Sequence, residues 1–236
     1  MTIGVFLQAR LDSTRLPRKA LLPLGRRTVV EQAMLSLAPI AADVYALLTD
    51  GPSAGELSSR AEACGFELFA GEKDDVLKRY GDAVRHFGVD LVVRATGDNP
   101  LVSAELAQAA INQSSGWDYT GYVGSPLGTG VEVLRAEALL KAEQLAEDPY
   151  DREHVAPYIY NNPSLFSIKR IPVPEELELS YARVTLDTLD DFDLITRIYR
   201  DLYRDRPVAI RTLVEWLRAD ARARYAHEEM ALRLSS

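Results

Sequence analysis

The chain has 236 residues, with 27 lysines and arginines against 35 aspartates and glutamates, and so a formal net charge of −8. This acidic balance argues against broad nucleic-acid binding, which needs a cationic surface. No apolar run approaches the roughly 20 residues of a membrane span, and the N-terminus lacks the charged leader of a signal peptide. Cys64 is the only cysteine and cannot form an internal disulfide. We therefore expect a cytoplasmic protein with no membrane insertion, in which Cys64 is a packed residue rather than a nucleophile.

Short apolar runs alternate with helical patterns through the first half of the chain. The predicted strands are Ile3–Leu7, Val44–Thr49, Glu67–Ala70 and Leu91–Arg94. The predicted helices are Val29–Leu37, Ala54–Ala63 and Asp75–Phe87, with capping boxes from Thr28 and Glu31 and from Ser53 and Glu56. This alternation predicts an α/β fold with a doubly wound, mostly parallel sheet. In such sheets ligands bind outside the carboxyl ends of the strands.

After residue 112 the pattern becomes less regular. The strands predicted there are Trp117–Gly121, Gly130–Leu134, Phe166–Val173 and Arg183–Leu186. The helices predicted there are Ala136–Ala146, Arg152–Tyr160, one from Asp190 or Asp191 through Tyr203, Thr212–Arg218 and Asp220–Leu234. We expect a single domain over residues 1–236, in which residues 115–180 form an excursion from the main sheet.

The segment that follows the first predicted strand is rich in cations. It contains four cations and two hydroxyl side chains, namely Arg10, Arg15, Arg18, Lys19, Ser13 and Thr14. Cations beside backbone amides at the carboxyl end of a strand suit a polyphosphate, with Arg10 and Lys19 at the two ends of a loop that folds over it. The alternative is a solvated basic turn fixed by Pro17. A Walker loop is excluded because its glycines are missing.

Two aspartates follow other predicted strands. Asp98 lies in the turn after Leu91–Arg94, and Asp187 ends the run Val184–Leu186. Mg²⁺ is usually held by one or two carboxylates together with substrate phosphates, so these two residues are the candidate metal ligands. The alternative for Asp98 is an ordinary turn aspartate. The neighbouring Asp190 and Asp191 have the ordinary role of charging a helix N-terminus.

Three further segments could contribute to a site. The turn Gly128–Gly130 with Glu132 either shapes a sugar pocket or closes a hairpin. The segment containing Arg152 and His154 either meets an anionic substrate or has a structural or interface role. Asp191–Asp193 matches the Asp-x-Asp pattern of many glycosyltransferases, but its place at a predicted helix start favours capping.

Together these motifs resemble the cytidylyltransferases that activate acidic sugars, a family that includes the acylneuraminate and 3-deoxy-manno-octulosonate cytidylyltransferases. The resemblance rests on the run Gln8–Lys19, the turn Gly97–Pro100, the Arg152–His154 segment and Leu186–Thr188, in that order. It spans nearly the whole chain and is greatest to the spore-coat polysaccharide biosynthesis branch. The octulosonate enzymes often carry a polar residue before the Gly-Asp turn, where this chain has Arg94–Thr96. That departure argues against octulosonate itself as the acceptor.

The resemblance implies a nucleotide-diphospho-sugar transferase fold of the glycosyltransferase A type, a homodimer formed through residues 115–180, and Mg²⁺ as the cofactor. The nucleotide-binding residues it implies are Gln8, Ala9, Arg10, Ser13, Arg15, Lys19, Arg94 and Gly97. The implied catalytic residues are Arg10, Lys19 and Asp98, the metal ligands are Asp98 and Asp187, and the substrate-binding residues are Glu132, Arg152 and His154.

The expected reaction is transfer of CMP from CTP to a sugar, in particular an acidic one, with release of pyrophosphate, in cell-surface polysaccharide biosynthesis. One alternative is a glycosyltransferase that takes a ready-made nucleotide sugar. The cation-rich loop argues against it, because a triphosphate needs that much cationic contact. The other alternative is a non-catalytic nucleotide-binding subunit, against which Lys19, Asp98 and Asp187 count.

Overall fold

The structure, a computed structural model, describes residues 1–221. The strands are β1 (Ile3–Gln8), β2 (Pro23–Leu24), β3 (Arg27–Thr28), β4 (Val44–Asp50), β5 (Glu67–Gly71), β6 (Leu91–Thr96), β7 (Tyr119–Val123), β8 (Glu132–Arg135) and β9 (Ile168–Pro172). The α-helices are α1 (Val29–Leu37), α2 (Gly51–Ala63), α3 (Val76–Phe87), α4 (Ala104–Asn112), α5 (Ala136–Leu145), α6 (Pro149–His154), α7 (Pro157–Asn161), α8 (Leu189–Leu202) and α9 (residues 210–221).

Seven of these strands form one mixed sheet in the order β5-β4-β1-β6-β8-β7-β9. The pairs β5–β4, β4–β1, β1–β6 and β7–β9 are parallel, whereas β8 runs antiparallel to both of its neighbours. The short strands β2 and β3 form a separate hairpin. Residues 115–180 supply β7, β8 and β9, which extend the parallel part of the sheet, and α5 to α7.

Helices cover both faces of the sheet, so the predicted doubly wound α/β class is confirmed. Alternate residues of the central strands point to opposite faces: Leu7 of β1 packs in a core with α1, α2 and α4, whereas Phe6 packs in a second core with α3, α5 and α7. Ile195 of α8 and Leu213 of α9 belong to a third buried cluster, beside the loop that follows β1.

The carboxyl ends of β1 and β6 lie side by side, with Gln8 opposite Thr96. The backbone N–H of Gly97 donates to the Gln8 carbonyl over 2.8 Å. A Cβ atom at Gly97 would approach the Cβ of Ala9 to 2.8 Å, so only glycine allows this contact between the two loops. The loops after β1 and β6 therefore leave the sheet from one edge and in contact.

Several predicted elements differ from the structure. The predicted capping box of Ser53 and Glu56 is wrong. Helix α2 begins at Gly51, and its N-cap is Asp50, whose side chain accepts a hydrogen bond from the backbone N–H of Ser53. The other predicted box, from Thr28 and Glu31, is confirmed. The prediction of a strand at Arg183–Leu186 is also wrong, since its only strand-like pairing in the described part of the chain is a single bridge.

Other helix predictions need adjustment. The predicted helix Arg152–Tyr160 is two helices, because Val155 adopts a left-handed φ of 74° that separates α6 from α7. Helix α4 was not predicted. The predicted helix Thr212–Arg218 lies within the longer α9. Of the predicted helix Asp220–Leu234, Asp220 and Ala221 belong to α9, and the remaining residues lie outside the described part of the chain.

Candidate functional site

A cleft of about 260 Å³ opens at the carboxyl ends of β1 and β6. All the predicted nucleotide-binding residues line it, namely Gln8, Ala9, Arg10, Ser13, Arg15, Lys19, Arg94 and Gly97. The cleft wall also contains Asp98, Asp187 and His154. Glu132 and Arg152, two of the predicted substrate-binding residues, do not reach it. The fold thus gathers residues from distant parts of the sequence at one edge of the sheet.

Lys19 lies between the two predicted metal ligands. Its Nζ donates to Asp98 Oδ2 and to Asp187 Oδ1, each over 2.8 Å, and to the Leu186 carbonyl over 2.7 Å. Lys19 opens a one-turn helix after Arg18, which has a left-handed φ of 57°. The two carboxylates therefore converge on a single cation. The sequence alone could not establish that Asp98 and Asp187 lie close together.

The N-terminus of α8 holds Asp187 in place. Asp191 accepts from the backbone N–H of Asp187 over 2.9 Å, and it forms a capping box with Thr188. Thr188 is the N-cap, so Asp191 completes the cap rather than being its first residue, and the Asp-x-Asp pattern here has a structural role. Leu186 N donates to the Asp98 carbonyl over 2.9 Å, which ties the two aspartate loops together.

Three cations surround the Asp187 carboxylate. Besides Lys19, Arg15 donates to Asp187 Oδ1 over 2.8 Å, and Arg183 pairs with Oδ2. Burial alone would raise the pKa of Asp187, but the hydrogen bond from Lys19 and the charges of the three cations outweigh it and lower the pKa. Asp187 is therefore a carboxylate held in its ionised form.

Asp98 is positioned by its own turn. Thr96 Oγ1 donates to Asp98 Oδ1 over 2.6 Å, and Asn99 Nδ2 donates to Thr96 Oγ1 over 2.9 Å. One carboxylate oxygen of Asp98 thus faces the turn while the other faces Lys19. Asp98 can therefore be both a turn aspartate and a candidate metal ligand, because Oδ1 is bonded within the turn and Oδ2 faces Lys19.

The loop after β1 is tied down on both sides. Leu11 N donates to Ser53 Oγ over 3.1 Å, and Arg18 forms an ion pair with Glu56 outside the cleft. Inside the cleft, Arg10 Nη2 lies 3.2 Å from Oε1 of Glu153 in α6. Arg10, Arg15 and Lys19 therefore each have a carboxylate partner in this structure.

Glu132 and Arg152 lie behind the cleft wall. Glu132 forms an ion pair with Arg94 on the adjacent strand. Burial disfavours the charged form of Arg94, but the negative charge of Glu132 outweighs it and raises the pKa of Arg94 above the ordinary value. Arg152 Nε donates to Asp75 over 2.9 Å, and its Nη1 donates to the carbonyls of Glu143 and Ala146. Arg152 thereby joins α6 to the start of α3 and the end of α5.

Arg79 and Glu153 line the cleft but were absent from the predicted site. Arg79 is 1% exposed, and its guanidinium donates to the carbonyls of Glu72 and Lys73. Burial lowers its pKa. A signal was available in the sequence, since Arg79 interrupts the apolar side of α3 next to Tyr80. Glu153 lies between the two predicted residues Arg152 and His154.

The donor set fits a metal ion that arrives with phosphates. Within residues 1–221 no group of three or more His, Cys, Asp or Glu side chains could hold a metal ion by itself. Asp98 and Asp187, however, offer two hard oxygen ligands around one position. Mg²⁺ typically takes one or two carboxylates and completes its shell with phosphates and water.

Cys64 lies outside the cleft, partly buried against the first core, where burial raises the pKa of its thiol and disfavours the reactive thiolate. None of the helices in residues 1–221 combines the length and the apolar character that crossing a membrane requires.

A doubly wound sheet whose first strand leads into a cation-rich loop facing two aspartates is the architecture of a nucleotidyltransferase. The profile of the family described as cytidylyltransferase matches residues 5–224. This chain belongs to that family, which confirms the resemblance drawn from the motifs.

The chain is also similar to individual proteins over most of their length. An uncharacterised protein of Methanocaldococcus jannaschii is 35% identical, over 91% of this chain and 89% of its own length. The spore coat polysaccharide biosynthesis protein SpsF of Bacillus subtilis is 32% identical, over 82% of this chain and 85% of its own. The solved structure of a cytidylyltransferase from Leptospira borgpetersenii is 26% identical, with a TM-score of 0.84, and the match covers 94% of this chain and 95% of the other.

Proposed function

We propose that this protein transfers CMP from CTP to a sugar and releases pyrophosphate, in the synthesis of a cell-surface polysaccharide. The observation that carries the proposal is the meeting of Lys19, Asp98 and Asp187 in a cleft that also presents Arg10 and Arg15. Family membership supports the reaction type, and the name of the Bacillus subtilis relative supports the pathway class. We place the reaction in the cytoplasm, where CTP is made.

In the proposed reaction a sugar hydroxyl attacks the α-phosphorus of CTP. A new oxygen–phosphorus bond forms, the bond from that phosphorus to the oxygen bridging the α- and β-phosphates breaks, and pyrophosphate leaves with the electron pair. The hydroxyl proton passes to solvent. The chain contributes chiefly by positioning the reactants and by offsetting charge.

The cations of the β1 loop bind the leaving group. Arg10, Arg15 and Lys19 hold the β- and γ-phosphates and offset the charge that develops on pyrophosphate. Binding requires an exchange of partners, because Arg10 now pairs with Glu153 and Arg15 pairs with Asp187. A triphosphate carries more charge than either carboxylate and accepts several hydrogen bonds, so it can replace them.

Asp98 and Asp187 are the residues that would hold Mg²⁺. The metal ion supplies neutralisation of phosphate charge when it is bound. The side chains that fix these two carboxylates are already in place, since Thr96 donates to Asp98 and the capping box of α8 holds the backbone at Asp187.

The acceptor sugar enters beside the nucleotide. His154 is exposed on the cleft wall and is available to the acceptor. Glu132 acts through Arg94, which it orients, and Arg152 acts through the position of α6. We propose these two as positioning residues rather than as groups that touch the sugar.

The products of the reaction test this function against its main rival. Purified protein is incubated with CTP, Mg²⁺ and a panel of acidic and neutral sugars, and the phosphorus products are identified by ³¹P NMR. Pyrophosphate with a sugar phosphodiester of CMP is the expected result. In a parallel incubation a nucleotide sugar replaces CTP, and release of a nucleoside diphosphate there would establish the glycosyltransferase instead. Binding of CTP with no product from any sugar would favour the non-catalytic subunit.

A further inference from the structure

The Lys19 ammonium fills the position between the two candidate metal ligands. It is 14% exposed, and three oxygens accept from it within 2.8 Å, those of Asp98, Asp187 and Leu186. An ammonium has three N–H donors, so all of its donors are used. The Lys19 ammonium therefore occupies the position between the two carboxylates that a metal ion would otherwise take.

A metal ion cannot share this position with Lys19. Mg²⁺ lies about 2.0–2.1 Å from its oxygen ligands, and the oxygens available to it at Asp98 and Asp187 are those that Lys19 now holds. The second oxygen of each carboxylate already accepts from Thr96 or Arg183. Lys19 contacts both of these oxygens, whereas Arg15 contacts only Asp187 Oδ1. A metal ion ligated by both oxygens would therefore lie against the Lys19 ammonium and be repelled by it in a partly desolvated site.

The displaced ammonium needs new acceptors. If a metal ion enters alone, Lys19 loses three hydrogen bonds in a partly buried position, and that loss opposes metal binding. If the metal ion enters with a triphosphate, the phosphate oxygens accept from Lys19 and the loss is recovered.

We propose that Lys19 makes metal binding conditional on the nucleotide. Without nucleotide, Lys19 holds Asp98 and Asp187 together and excludes the metal ion. The triphosphate draws Lys19 away, and the metal ion takes its position. By linkage, the metal ion and the nucleotide each strengthen the binding of the other by the same factor. This inference rests on the proposed function for the identity of the nucleotide, but the exclusion of the metal by Lys19 does not.

The test is a titration with Mn²⁺ in the absence of any nucleotide, read as free Mn²⁺ by electron paramagnetic resonance. Lys19→Met removes the ammonium and keeps a side chain of similar length. We expect this variant to bind Mn²⁺ at least tenfold more tightly than the wild-type protein.

Arg183→Met is the matched control. It also removes one positive charge that touches Asp187, but Arg183 lies on the other oxygen and does not reach Asp98. We expect its Mn²⁺ affinity to change by less than threefold. Equal affinity of Lys19→Met and wild type, or equal tightening by both substitutions, would overturn the proposal.

A second measurement uses the wild-type chain and does not depend on the folding of a variant. Acetic anhydride labels exposed amines, and mass spectrometry gives the labelling rate of each lysine. As Mn²⁺ is raised without nucleotide, labelling of Lys19 must increase in step with metal occupancy, while labelling of Lys73 stays constant. Metal occupancy with unchanged labelling of Lys19 contradicts the proposal. Because neither experiment contains CTP, failure of the nucleotidyl transfer would appear separately.

Discussion

The cleft is built from single contacts between residues that are far apart in the sequence. Lys19 is 79 positions from Asp98 and 168 from Asp187, yet its ammonium touches both side chains. Only Asp98 follows a strand of the sheet, whereas Lys19 lies in the loop after β1 and Asp187 in the segment before α8, which the bond from Leu186 N to the Asp98 carbonyl holds against the turn. Their chemistry is set by those contacts, because an aspartate in a solvated turn would have neither a fixed orientation nor a cation in place.

Asp98→Asn tests the role of that carboxylate in turnover. The amide keeps the size of the side chain and can still accept from Thr96, but it loses the charge that a metal ion requires. We expect kcat to fall by about 100-fold or more, the scale of losing one preorganised electrostatic contact from a transition state. Circular dichroism should show an unchanged fold.

Asp82→Asn is the control for this prediction, because Asp82 pairs with Lys78 on the exposed side of α3 and lies outside the cleft. Its turnover should equal that of the wild type. Near-native turnover of Asp98→Asn would remove Asp98 from the metal site.

The lowered pKa of Asp187 predicts a pH dependence of stability. A carboxyl whose pKa is lower in the folded state adds stability above its unfolded pKa, about 3.9, and this contribution is lost as the pH falls through the folded pKa. The difference in the free energy of unfolding between wild type and Asp187→Asn should therefore shrink between pH 5 and pH 2. Urea unfolding across that range measures it. A difference that is independent of pH would show that the charge of Asp187 does not contribute.

Elements with a regular pattern could be predicted from the sequence, and those decided by tertiary contacts could not. The strands β1, β4 and β6 lie where their apolar runs predicted, because most of their residues are buried on both faces of the sheet. The edge strand β5 also lies where it was predicted, although its residues are only partly buried or exposed. The break between α6 and α7 has one local signal, Pro157, which begins α7. The positive φ of Val155 could not be predicted, since a valine rarely adopts it. Arg183–Leu186 has the composition of a strand, but its place beside Leu127 leaves it one bridge instead of a ladder.

The same distinction applies to the site. The cation-rich loop and the two aspartates could be found because their residue types indicate phosphate and metal binding. Arg152 could not be separated from them, because an arginine that binds a ligand and one that joins helices look alike in a sequence. Only the positions of Asp75, Glu143 and Ala146 reveal which it is.

Arg152→Met tests the joining of α6 to α3 and α5. The substitution removes an ion pair and two hydrogen bonds to carbonyls at a site where Arg152 is 22% exposed. We expect a loss of about 2 kcal/mol in the free energy of unfolding, as for charged hydrogen bonds that are partly buried, and a Tm lower by about 4–8 °C. Differential scanning calorimetry measures both.

Arg135→Met, which removes an exposed pair with Glu137, is the control and should leave the Tm unchanged. An unchanged Tm for Arg152→Met with a raised KM for the sugar would instead return Arg152 to the substrate-binding residues.

At the scale of the whole molecule, the cleft lies at the carboxyl ends of β1 and β6, near the middle of the sheet, and three further strands extend the sheet beyond β6. The loops after β1 and β6 and helix α3 line most of the cleft, and α6 and Asp187 complete it. The strands β8, β7 and β9 continue the sheet to an edge at β9. Trp117 and Leu165, close to that edge in sequence, are exposed apolar side chains. The resemblance to the family predicts that residues 115–180 form the contact between two copies.

This prediction of a homodimer is tested by sedimentation equilibrium. The expected mass is twice the 26.2 kDa of the chain. Leu165→Asp, which places a charge on the exposed surface next to β9, should shift the population toward monomer, whereas Leu189→Asp, on α8, should not. A wild-type protein that sediments as a monomer at all concentrations would contradict the prediction.

Thermal unfolding shows whether the cleft binds CTP together with a divalent metal ion. It is measured with CTP, UTP, GTP, ATP or a nucleotide sugar, each with and without Mg²⁺. A ligand at about 100 times its Kd stabilises the folded state by about 2.7 kcal/mol, which for a chain of this size raises the Tm by about 5–11 °C. We expect that shift in Tm for CTP with Mg²⁺, a much smaller shift for CTP without the metal ion, and none for Mg²⁺ alone. Stabilisation by no triphosphate, or by nucleotide sugars only, would contradict it.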